Sequence, residues 1–284
     1  MGDVRELVTA HLPGYVPRTV SVLGQGGDNV AYEVNGELVV RLAKTPQDAA
    51  EVAREVRLLT AVAGVSPLPV PEPAFAVPEL GCLAYFKLRG RPLLELAPSW
   101  RSTHGASVGA TVGQLLTALH TTGTERLASL AGPDEYSLPE WLAEAGAAYR
   151  SVSARVPEVH RPAVEAFLAS TPPAGEYPLV FSHNDLGIEH LLVDPAHGAV
   201  TGVIDWSDAA FVDPARDFGL LYRDLGPVAL DAALRAYHAE HAALRQRAVC
   251  YARCSVFEDL AYGLDTDDLR YVDKSLTALD WLFG

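Results

Sequence analysis

The sequence predicts an α+β fold in two parts, a β-rich N-terminal part and a mainly helical C-terminal part. Three observations carry this prediction. Asn35-Gly36 separates two strand-like apolar runs, which is the strongest short-range signal for a β-hairpin. Beyond residue 100, apolar residues recur at helical spacing over several long segments. One short β island, between Leu191 and Ile204, interrupts those helices.

The elements of the N-terminal part follow from alternation, turn residues and prolines. The predicted strands are residues 20–23, 31–34, 38–42 and 82–88. Residues 46–62 are predicted to form a helix, because apolar side chains recur there at helical spacing with charged ones between them. Prolines at positions 67, 69, 71 and 73 end that helix and force an extended segment.

The C-terminal part is predicted to hold most of the helices. Apolar periodicity marks five of them, at residues 108–120, 139–152, 161–170, 228–241 and 243–262. Between the third and fourth, residues 191–193 and 200–204 are predicted strands joined by a polar turn. The hairpin therefore lies in the middle of the helical part.

The net charge of the chain limits the classes of binding partner that the sequence favours. Thirty-six acidic and 22 basic residues give a net charge of −14. Nucleic acids and anionic membranes bind basic surfaces, so this composition argues against both. It favours a small cationic partner, although an acidic surface also serves solubility alone.

The chain start and the cysteines indicate a cytoplasmic protein. Acidic residues stand where a signal peptide needs a basic start, and no apolar run is long enough to span a bilayer. Cys82, Cys250 and Cys254 are too few for a disulfide framework, and no second cysteine or histidine pair completes a zinc site. We expect the three thiols to be reduced and apolar in role.

A polar loop and the end of a strand carry the predicted chemistry. Asp185 and His190 lie in the loop before the hairpin, and Asp205 ends the second hairpin strand. Phosphoryl transfer needs a carboxylate that orients the attacking hydroxyl and ligands that hold Mg²⁺ on the phosphates. A loop acid, a ligand five residues later and a second acid across a hairpin fit that need.

These segments resemble the aminoglycoside phosphotransferase family, distant relatives of protein kinases. The family pattern is His-x-Asp, then Asn or His five residues after the Asp, then a strand ending Ile-Asp-Trp, then Asp-Pro-x-x-Asp. This chain has His183-Asn184-Asp185, His190, Ile204-Asp205-Trp206 and Asp213 to Asp217. The matching motifs run from about residue 20 to residue 225. They look most similar to the 2″-aminoglycoside and macrolide branches.

The resemblance implies a bilobal protein-kinase-like fold, with residues 1–88 as the nucleotide-binding lobe and 89–284 as the catalytic and substrate-binding lobe. It implies transfer of the γ-phosphoryl group of ATP or GTP to a small-molecule hydroxyl. Asp185 would be the catalytic base, and His190 and Asp205 would hold Mg²⁺. His183 and Asp217 would support the loop. A neutral imidazole is a weaker ligand for Mg²⁺ than an amide oxygen, so His190 departs from the usual pattern.

The resemblance also implies a nucleotide site in the N-terminal part. Arg41, braced by Glu55, takes the place of the lysine that grips the phosphates, and Lys44 is the reserve candidate because it follows the predicted strand. The loop from Gly24 to Asn29 is similar to a phosphate-binding loop. The residues expected to bind the co-substrate there and at the hinge are Gly24, Gly26, Asp28, Asn29, Phe86 and Leu88.

The acceptor is expected to be an aminoglycoside antibiotic, with resistance by inactivation. Glu258, Asp259 and Tyr262 are the candidate substrate residues, near one face of a predicted helix. The alternative for these acids is a solvated helix face, and for residues 265–268 a helix cap. The enzyme alternatives are a macrolide kinase and a kinase of an amino alcohol or sugar. The departures at Arg41 and His190 leave a catalytically weak nucleotide-binding pseudokinase as the non-enzyme alternative.

Overall fold

A computed structural model describes residues 3–25, 29–45, 49–121, 127–175, 177–237 and 242–284. An antiparallel sheet dominates its N-terminal part and helices its C-terminal part, as predicted. The helices are α1 (Val4–His11), α2 (Ala49–Ala63), α3 (Pro98–Thr121), α4 (Leu138–Val152), α5 (Arg161–Leu168), α6 (Ala215–Ala236), α7 (Ala242–Asp265) and α8 (Leu269–Phe283). The strands are β1 (Val20–Gln25), β2 (Asn29–Val34), β3 (Leu38–Ala43), β4 (Pro73–Val77), β5 (Cys82–Phe86), β6 (Arg91–Pro92), β7 (Val180–Ser182), β8 (Leu191–Val193), β9 (Val200–Val203) and β10 (Ala210–Val212).

The N-terminal sheet has the antiparallel order β1-β2-β3-β5-β4. Its central hairpin turns at Asn35 and Gly36, which both have positive φ, 54° and 77°. Two central residues with positive φ match the twist of the strands they join, which confirms the predicted hairpin. The Asn35 Oδ1 atom also accepts the N–H groups of Arg18 at 2.8 Å and Thr19 at 3.1 Å. The turn therefore also holds the segment that enters β1.

Helix α1 covers this sheet and was not predicted from the sequence. Its N-cap Asp3 accepts the backbone N–H of Arg5, and Val4, Leu7 and Val8 are buried. These three residues form one apolar cluster with side chains of the sheet, including Val40. Eight residues with three buried positions give too short a pattern to distinguish a helix from a loop.

In the helical part, α3 and α6 approach each other very closely. A Cβ atom at Gly109 would lie 2.2 Å from the Ala229 carbonyl oxygen, and one at Gly113 would lie 2.2 Å from that of Ala233. The two backbones are therefore in direct contact where these glycines lie. This contact anchors the large apolar core that α3, α6 and α7 share.

Two of the predicted helices begin well before their predicted first residues. Helix α3 begins at Pro98 instead of residue 108, and α6 begins at Ala215 instead of residue 228. In α6 the reason is a kink, since Gly226 has φ 74° and Pro227 follows it. Proline lacks the N–H group that a helix interior uses, so the sequence pattern reads as a helix start at this point. The first half of α6 instead continues back to the Asp-Pro-x-x-Asp motif.

Two short sheets hold the loops that carry the predicted chemistry. The hairpin β8–β9 was predicted, and β6 adds to its outer edge. Strands β7 and β10 pair with each other, Ser182 opposite Ala210, and neither was predicted because each has only three residues. The loop between β7 and β8 contains Asp185, and the loop between β9 and β10 contains Asp205. The two sheets thus bring distant parts of the chain side by side.

Across the described ranges, the structure holds no helix with the length and apolar character needed to cross a membrane. Cys82, Cys250 and Cys254 are all buried free thiols. Their burial agrees with an apolar packing role, and the reduced state of the thiols stays a prediction.

We predict that Gly113→Ala destabilises the protein by about 1–3 kcal/mol, because the added methyl group has to displace the backbone of α6. The matched control is Gly146→Ala in α4, where the nearest atom to an added Cβ is the end of the flexible Arg150 side chain, at 3.8 Å. That substitution should stabilise the helix by about 0.5–1 kcal/mol. Urea unfolding followed by circular dichroism measures both. Equal stabilisation by the two substitutions would contradict the close helix contact.

Candidate active site

The loop between β7 and β8 is held by a network around His183. This side chain is fully buried, and its Nε2–H donates to the Ile204 carbonyl at 2.9 Å. Its Nδ1 atom accepts the backbone N–H of Asp185 at 3.3 Å. Burial lowers the pKa of His183 to about 4, so the ring is neutral at neutral pH. His183 thus connects the Asp185 loop to the end of the second hairpin strand.

Asp217 holds the same loop from the other side. Its Oδ2 atom accepts the backbone N–H groups of His183 at 3.0 Å and Asn184 at 3.3 Å. Asn184 has a φ of 69°, and its side-chain amide donates to Asp134 at 3.2 Å. Burial raises the pKa of Asp217 to about 6, against the stabilising effect of the backbone donor at Asn184. The positions of His183 and Asp217 agree with the supporting roles expected for them.

Asp185, His190 and Asp205 lie together at the end of these loops. The His190 Nδ1–H donates to the Asp185 carbonyl at 2.7 Å and lies 3.5 Å from the Asp185 Oδ2 atom. The other ring nitrogen, Nε2, lies 3.7 Å from the Asp205 Oδ2 atom. The side chain of Asp185 is 41% exposed and that of Asp205 47%, so both carboxylates are open to ligands. The structure therefore brings together the three residues that the sequence predicted for catalysis and metal binding.

Asp205 and His190 are the residues here that could hold a metal ion. Asp205 has an unusual φ of 62°, which turns its carboxylate at the end of the strand, and Oδ1 accepts the Ser207 hydroxyl at 3.0 Å. Among the described residues no group of three or more His, Cys, Asp or Glu side chains forms a complete metal site. Mg²⁺ commonly uses one or two carboxylates together with substrate phosphates, so Asp205 fits it well and the His190 nitrogen less well.

The charges around this group affect one another. Burial lowers the pKa of His190, but the neighbouring acids Asp185, Glu189 and Asp205 more than offset it, and the net pKa is raised. Burial raises the pKa of Asp205, but His190 and Arg41 outweigh it, and the net pKa is lowered. Asp205 is therefore ionised at neutral pH, as a metal-binding carboxylate has to be.

A cleft of about 460 Å³ lies between the N-terminal sheet and Asp205. The described residues that line it are Leu23, Gly24, Gln25, Asn29, Ala31, Val39, Arg41, Tyr85, Ile204, Asp205 and Ser207. Three of the residues predicted to bind the co-substrate, Gly24, Asn29 and Arg41, thus lie in one cavity with the predicted metal ligand. Gly26 and Asp28, which were also predicted, lie outside the described residues.

Arg41 points into this cleft from β3 and pairs with Glu55 of α2 at 2.5 Å. It is opposite Ala31 in β2 and Leu83 in β5, whereas Lys44 follows the last residue of β3. Burial opposes the charge of Arg41, but Glu55, Tyr85 and Asp205 more than offset it and raise its pKa. Among the described residues, the cation that lines the cleft is therefore Arg41, and its contact with phosphates stays a prediction.

The two predicted hinge residues, Phe86 and Leu88, lie at and just beyond the end of β5. Phe86 ends β5, and its exposed ring contacts the Tyr15 ring edge-on at 6.2 Å. Leu88 is half-buried, and its side chain lies against Gly202. Neither residue is among the described residues that line the cleft, so their contact with a base stays a prediction.

A second cavity, of about 500 Å³, lies on the other side of Asp205. Its described lining includes seven acids: Asp134, Asp185, Glu189, Asp205, Asp208, Glu258 and Asp259. Tyr262 also lines it, so the three predicted substrate residues lie in one cavity with the predicted catalytic acid. Asp205 belongs to the lining of both cavities. The sequence analysis missed Asp134, Glu189 and Asp208, because no local pattern indicates which surface acids face a cavity.

Asp259 differs from its neighbour Glu258, since a buried ion-pair network surrounds it. Arg223 contacts the Asp259 Oδ2 atom at 3.1 Å and Lys274 contacts it at 2.8 Å. Both cations also contact Asp224, at 2.8 Å and 3.3 Å. Burial raises the pKa of Asp259 to about 6, against these two cations. Glu258 is exposed and has no ion pair among the described residues. The sequence could not distinguish these two adjacent acids.

We predict that Lys274→Met destabilises the protein by about 3–5 kcal/mol, because it leaves the buried Asp224 and the partly buried Asp259 to share one cation, Arg223, instead of two. The matched control is Arg245→Met, which removes an exposed ion pair to Asp231. That change should cost less than about 1 kcal/mol. Denaturant unfolding of the two variants measures the difference. A loss of similar size in both would mean that the buried network contributes no more than a surface pair.

Comparisons with known proteins agree with this geometry. The model of the phosphotransferase enzyme family matches residues 19–250. A solved aminoglycoside 2″-phosphotransferase in complex with GDP and kanamycin has a TM-score of 0.72 and 21% identity, over 97% of this chain and 96% of that one. The macrolide 2′-phosphotransferase of Brachybacterium faecium, as apoenzyme, has a TM-score of 0.65 and 23% identity, over 97% of each chain.

A curated relative, an uncharacterized protein of Bacillus subtilis (strain 168), is 46% identical over 43 residues, which are 15% of this chain and 13% of that protein. The similar solved structures confirm the predicted kinase-like fold, with its antiparallel N-terminal sheet and helical C-terminal part. The family match confirms the predicted relationship. Because the family model covers most of the chain, this protein belongs to the phosphotransferase enzyme family.

Proposed function

We propose that this protein transfers the γ-phosphoryl group of ATP or GTP to a hydroxyl group of an aminoglycoside. One observation carries the proposal. Asp205 lines both the cleft that contains Arg41 and the acidic cavity that contains Asp185. A kinase needs two adjoining sites, one for the phosphate donor and one for the acceptor, and they have to meet where the metal and the base lie.

The nucleotide is proposed to bind the Arg41 cleft, with residues 1–88 as its main lobe. The Arg41–Glu55 pair supports this assignment, because it reproduces the cation–glutamate pair that positions phosphates in kinases. Similar solved structures are described as complexes with GDP and with ADP. Arg41 lines the cleft and keeps its charge, so arginine at this position does not by itself weaken the proposed nucleotide site.

The catalytic step is proposed to take place at Asp185, in the part of the chain from residue 89 onward. Its carboxylate would accept a hydrogen bond from the acceptor hydroxyl and turn the attacking oxygen toward the phosphate. His183 and Asp217 would hold the backbone on which this depends. Asp205, with His190, would hold Mg²⁺, and that ion would neutralise charge on the donor phosphates.

A polyamine acceptor is supported by the charge of the second cavity. Seven acids line it, and the chain as a whole carries a net charge of −14. Both features favour the approach and binding of a cation. Tyr262 and Tyr271 meet edge-to-face at 4.8 Å and offer ring surface beside those acids. Solved relatives of this fold are described as complexes with kanamycin and with gentamicin.

We predict that Asp185→Asn lowers kcat by about 10²–10⁴-fold while nucleotide affinity stays the same, because a positioned acid–base group has an effect of that size. Asp205→Ala should instead abolish the Mg²⁺-dependent part of nucleotide binding. Steady-state phosphotransfer assays and nucleotide titrations with and without Mg²⁺ measure both. Normal turnover in Asp185→Asn would remove Asp185 from the reaction. Unchanged Mg²⁺-nucleotide binding in Asp205→Ala would locate the metal elsewhere.

We predict phosphorylation of at least one aminoglycoside, with a KM that rises between low and high salt because exposed charges are screened. Glu258→Gln should raise this KM about 2–5-fold, the effect of losing one exposed ion pair. Asp265→Asn is the control, because this exposed acid ends the same helix but is not part of the described cavity lining. A coupled assay over aminoglycosides and macrolides at two ionic strengths tests the substrate class. Turnover of macrolides alone, without salt dependence, would replace the aminoglycoside proposal with a macrolide kinase.

A further inference from the structure

Arg216 is a buried arginine without a hydrogen-bond acceptor at two of its nitrogens. It lies in the first turn of α6 and is 8% exposed. Its Nε and Nη1 atoms are buried and have no hydrogen-bond partner among the described residues. The guanidinium lies over the Trp141 ring at 4.0 Å and 5.9 Å from the Tyr251 ring. The aromatic rings hold the group in place, and none of the described residues accepts a hydrogen bond from Nε or Nη1.

The other two arginines that are buried among the described residues show how a guanidinium is satisfied in this protein. Arg247 also lies over a ring, that of Tyr177 at 4.4 Å, but donates to both carboxylate oxygens of Asp213 at 2.7 and 3.0 Å. Arg223 donates to both oxygens of Asp224 at 2.8 and 2.9 Å. Burial of a charge without such a partner is costly. An unsatisfied buried donor therefore indicates a ligand.

The position of Arg216 indicates which ligand this is. Arg216 lines the acidic cavity together with Asp185, and it also lines a smaller adjoining cavity of about 100 Å³. Asp217, the next residue, holds the backbone of the Asp185 loop. Arg216 thus lines the cavity proposed for the acceptor and is not among the described residues that line the cleft of Arg41.

We propose that Arg216 binds the transferred phosphoryl group on the acceptor and holds it as the phosphate ester of the product. This inference rests on the proposed function. In the step, the acceptor oxygen forms a bond to the γ-phosphorus while its proton passes to Asp185. The bond from that phosphorus to the bridging oxygen breaks, and the nucleoside diphosphate leaves with the electron pair. Arg216 donates to the non-bridging oxygens of the phosphorus as it moves toward the acceptor.

A phosphate fits this site better than a carboxylate that belongs to the acceptor. The described lining has seven acids against two arginines, Arg216 and Arg223, and this excess of negative charge would repel an anionic acceptor before it bound. The phosphoryl group instead enters by covalent transfer and adds negative charge beside Asp185. The planar guanidinium forms paired hydrogen bonds with phosphate oxygens, which offsets that repulsion.

The first experiment measures anion binding without nucleotide or acceptor. In an Arg41→Met background, which removes the cation of the nucleotide cleft, inorganic phosphate should raise Tm in a saturable way, since a ligand that binds the folded state stabilises it. Adding Arg216→Met should abolish that rise, and adding Arg216→Lys should retain part of it. In phosphate-free buffer Arg216→Met should have a Tm no lower than its parent. A persistent phosphate effect, or a large fall of Tm in phosphate-free buffer, would overturn the proposal in favour of a structural role.

The second experiment measures the reaction. Arg216→Met should lower kcat about 10²–10³-fold, the usual effect of removing a donor to a developing oxyanion. It should leave the nucleotide KM unchanged and weaken inhibition by the phosphorylated product. A rise in KM limited to acceptors with a carboxylate, with kcat unchanged, would assign Arg216 to the acceptor anion instead. If no acceptor is phosphorylated but phosphate binding still depends on Arg216, the anion site stands and the proposed kinase activity falls.

Discussion

The site depends on one buried carboxylate, that of Asp217, and on the backbone groups it accepts. Asp217 lies in the first turn of α6, and its Oδ2 atom accepts hydrogen bonds from the backbone N–H groups of His183 and Asn184. Burial disfavours the charged form of this carboxyl group and raises its pKa to about 6. Since this pKa lies above the usual value for an aspartate, the fold binds an extra proton between about pH 4 and 6, and Asp217 costs stability above that range. That cost accompanies a loop held in one conformation, with Asp185 at its end.

Helix α6 links this constraint to the rest of the molecule. Its first turn supplies Asp217 to the loop and Arg216 to the acidic cavity. Its second half contacts α3 so closely that only glycine fits at residues 109 and 113. The kink at Gly226 lets one helix meet both demands, because each half takes its own direction. The backbone of the Asp185 loop is therefore connected, through α6, to the packing of that helix against α3.

The acids of the second cavity fall into two classes, separated by their surroundings. Asp259 lines the cavity and pairs with Arg223 and Lys274, which also pair with the buried Asp224 outside the described lining, so these charges are compensated inside the protein. Glu258 is exposed, and Asp185 is partly so. A carboxylate of the first class already has counter-charges within the protein, whereas an open carboxylate is available to a ligand. Net charge attracts a cation to the protein, but this division determines which acids it would meet.

Local features of the sequence were sufficient to predict much of the fold and of the candidate site. The hairpin at Asn35-Gly36, the alternating pattern that places Arg41 in β3, and the motifs around Asp185 and Asp205 depend on residues close together in the chain. They predicted the fold class, the family and the grouping of Asp185, His190 and Asp205. The roles of these residues in catalysis and binding stay predictions. Local patterns also found most of the helices, although they missed α1, α8 and the first parts of α3 and α6. A short length hides the periodicity of α1, and a Gly-Pro kink interrupts that of α6.

Only the tertiary structure decided what happens to charges that are distant in sequence. Glu258 and Asp259 are neighbours on one helix, yet Lys274 of α8 and Arg223 of α6 reach only the second of them. Arg216 and Arg247 look alike in the sequence. In the described part of the structure, however, Arg247 donates to both carboxylate oxygens of Asp213, whereas Nε and Nη1 of Arg216 have no acceptor. The free energy of a buried charge depends on the partners that folding brings to it, and those partners lie on other elements. A linear pattern records which charges exist, and packing decides which of them remain available to a substrate.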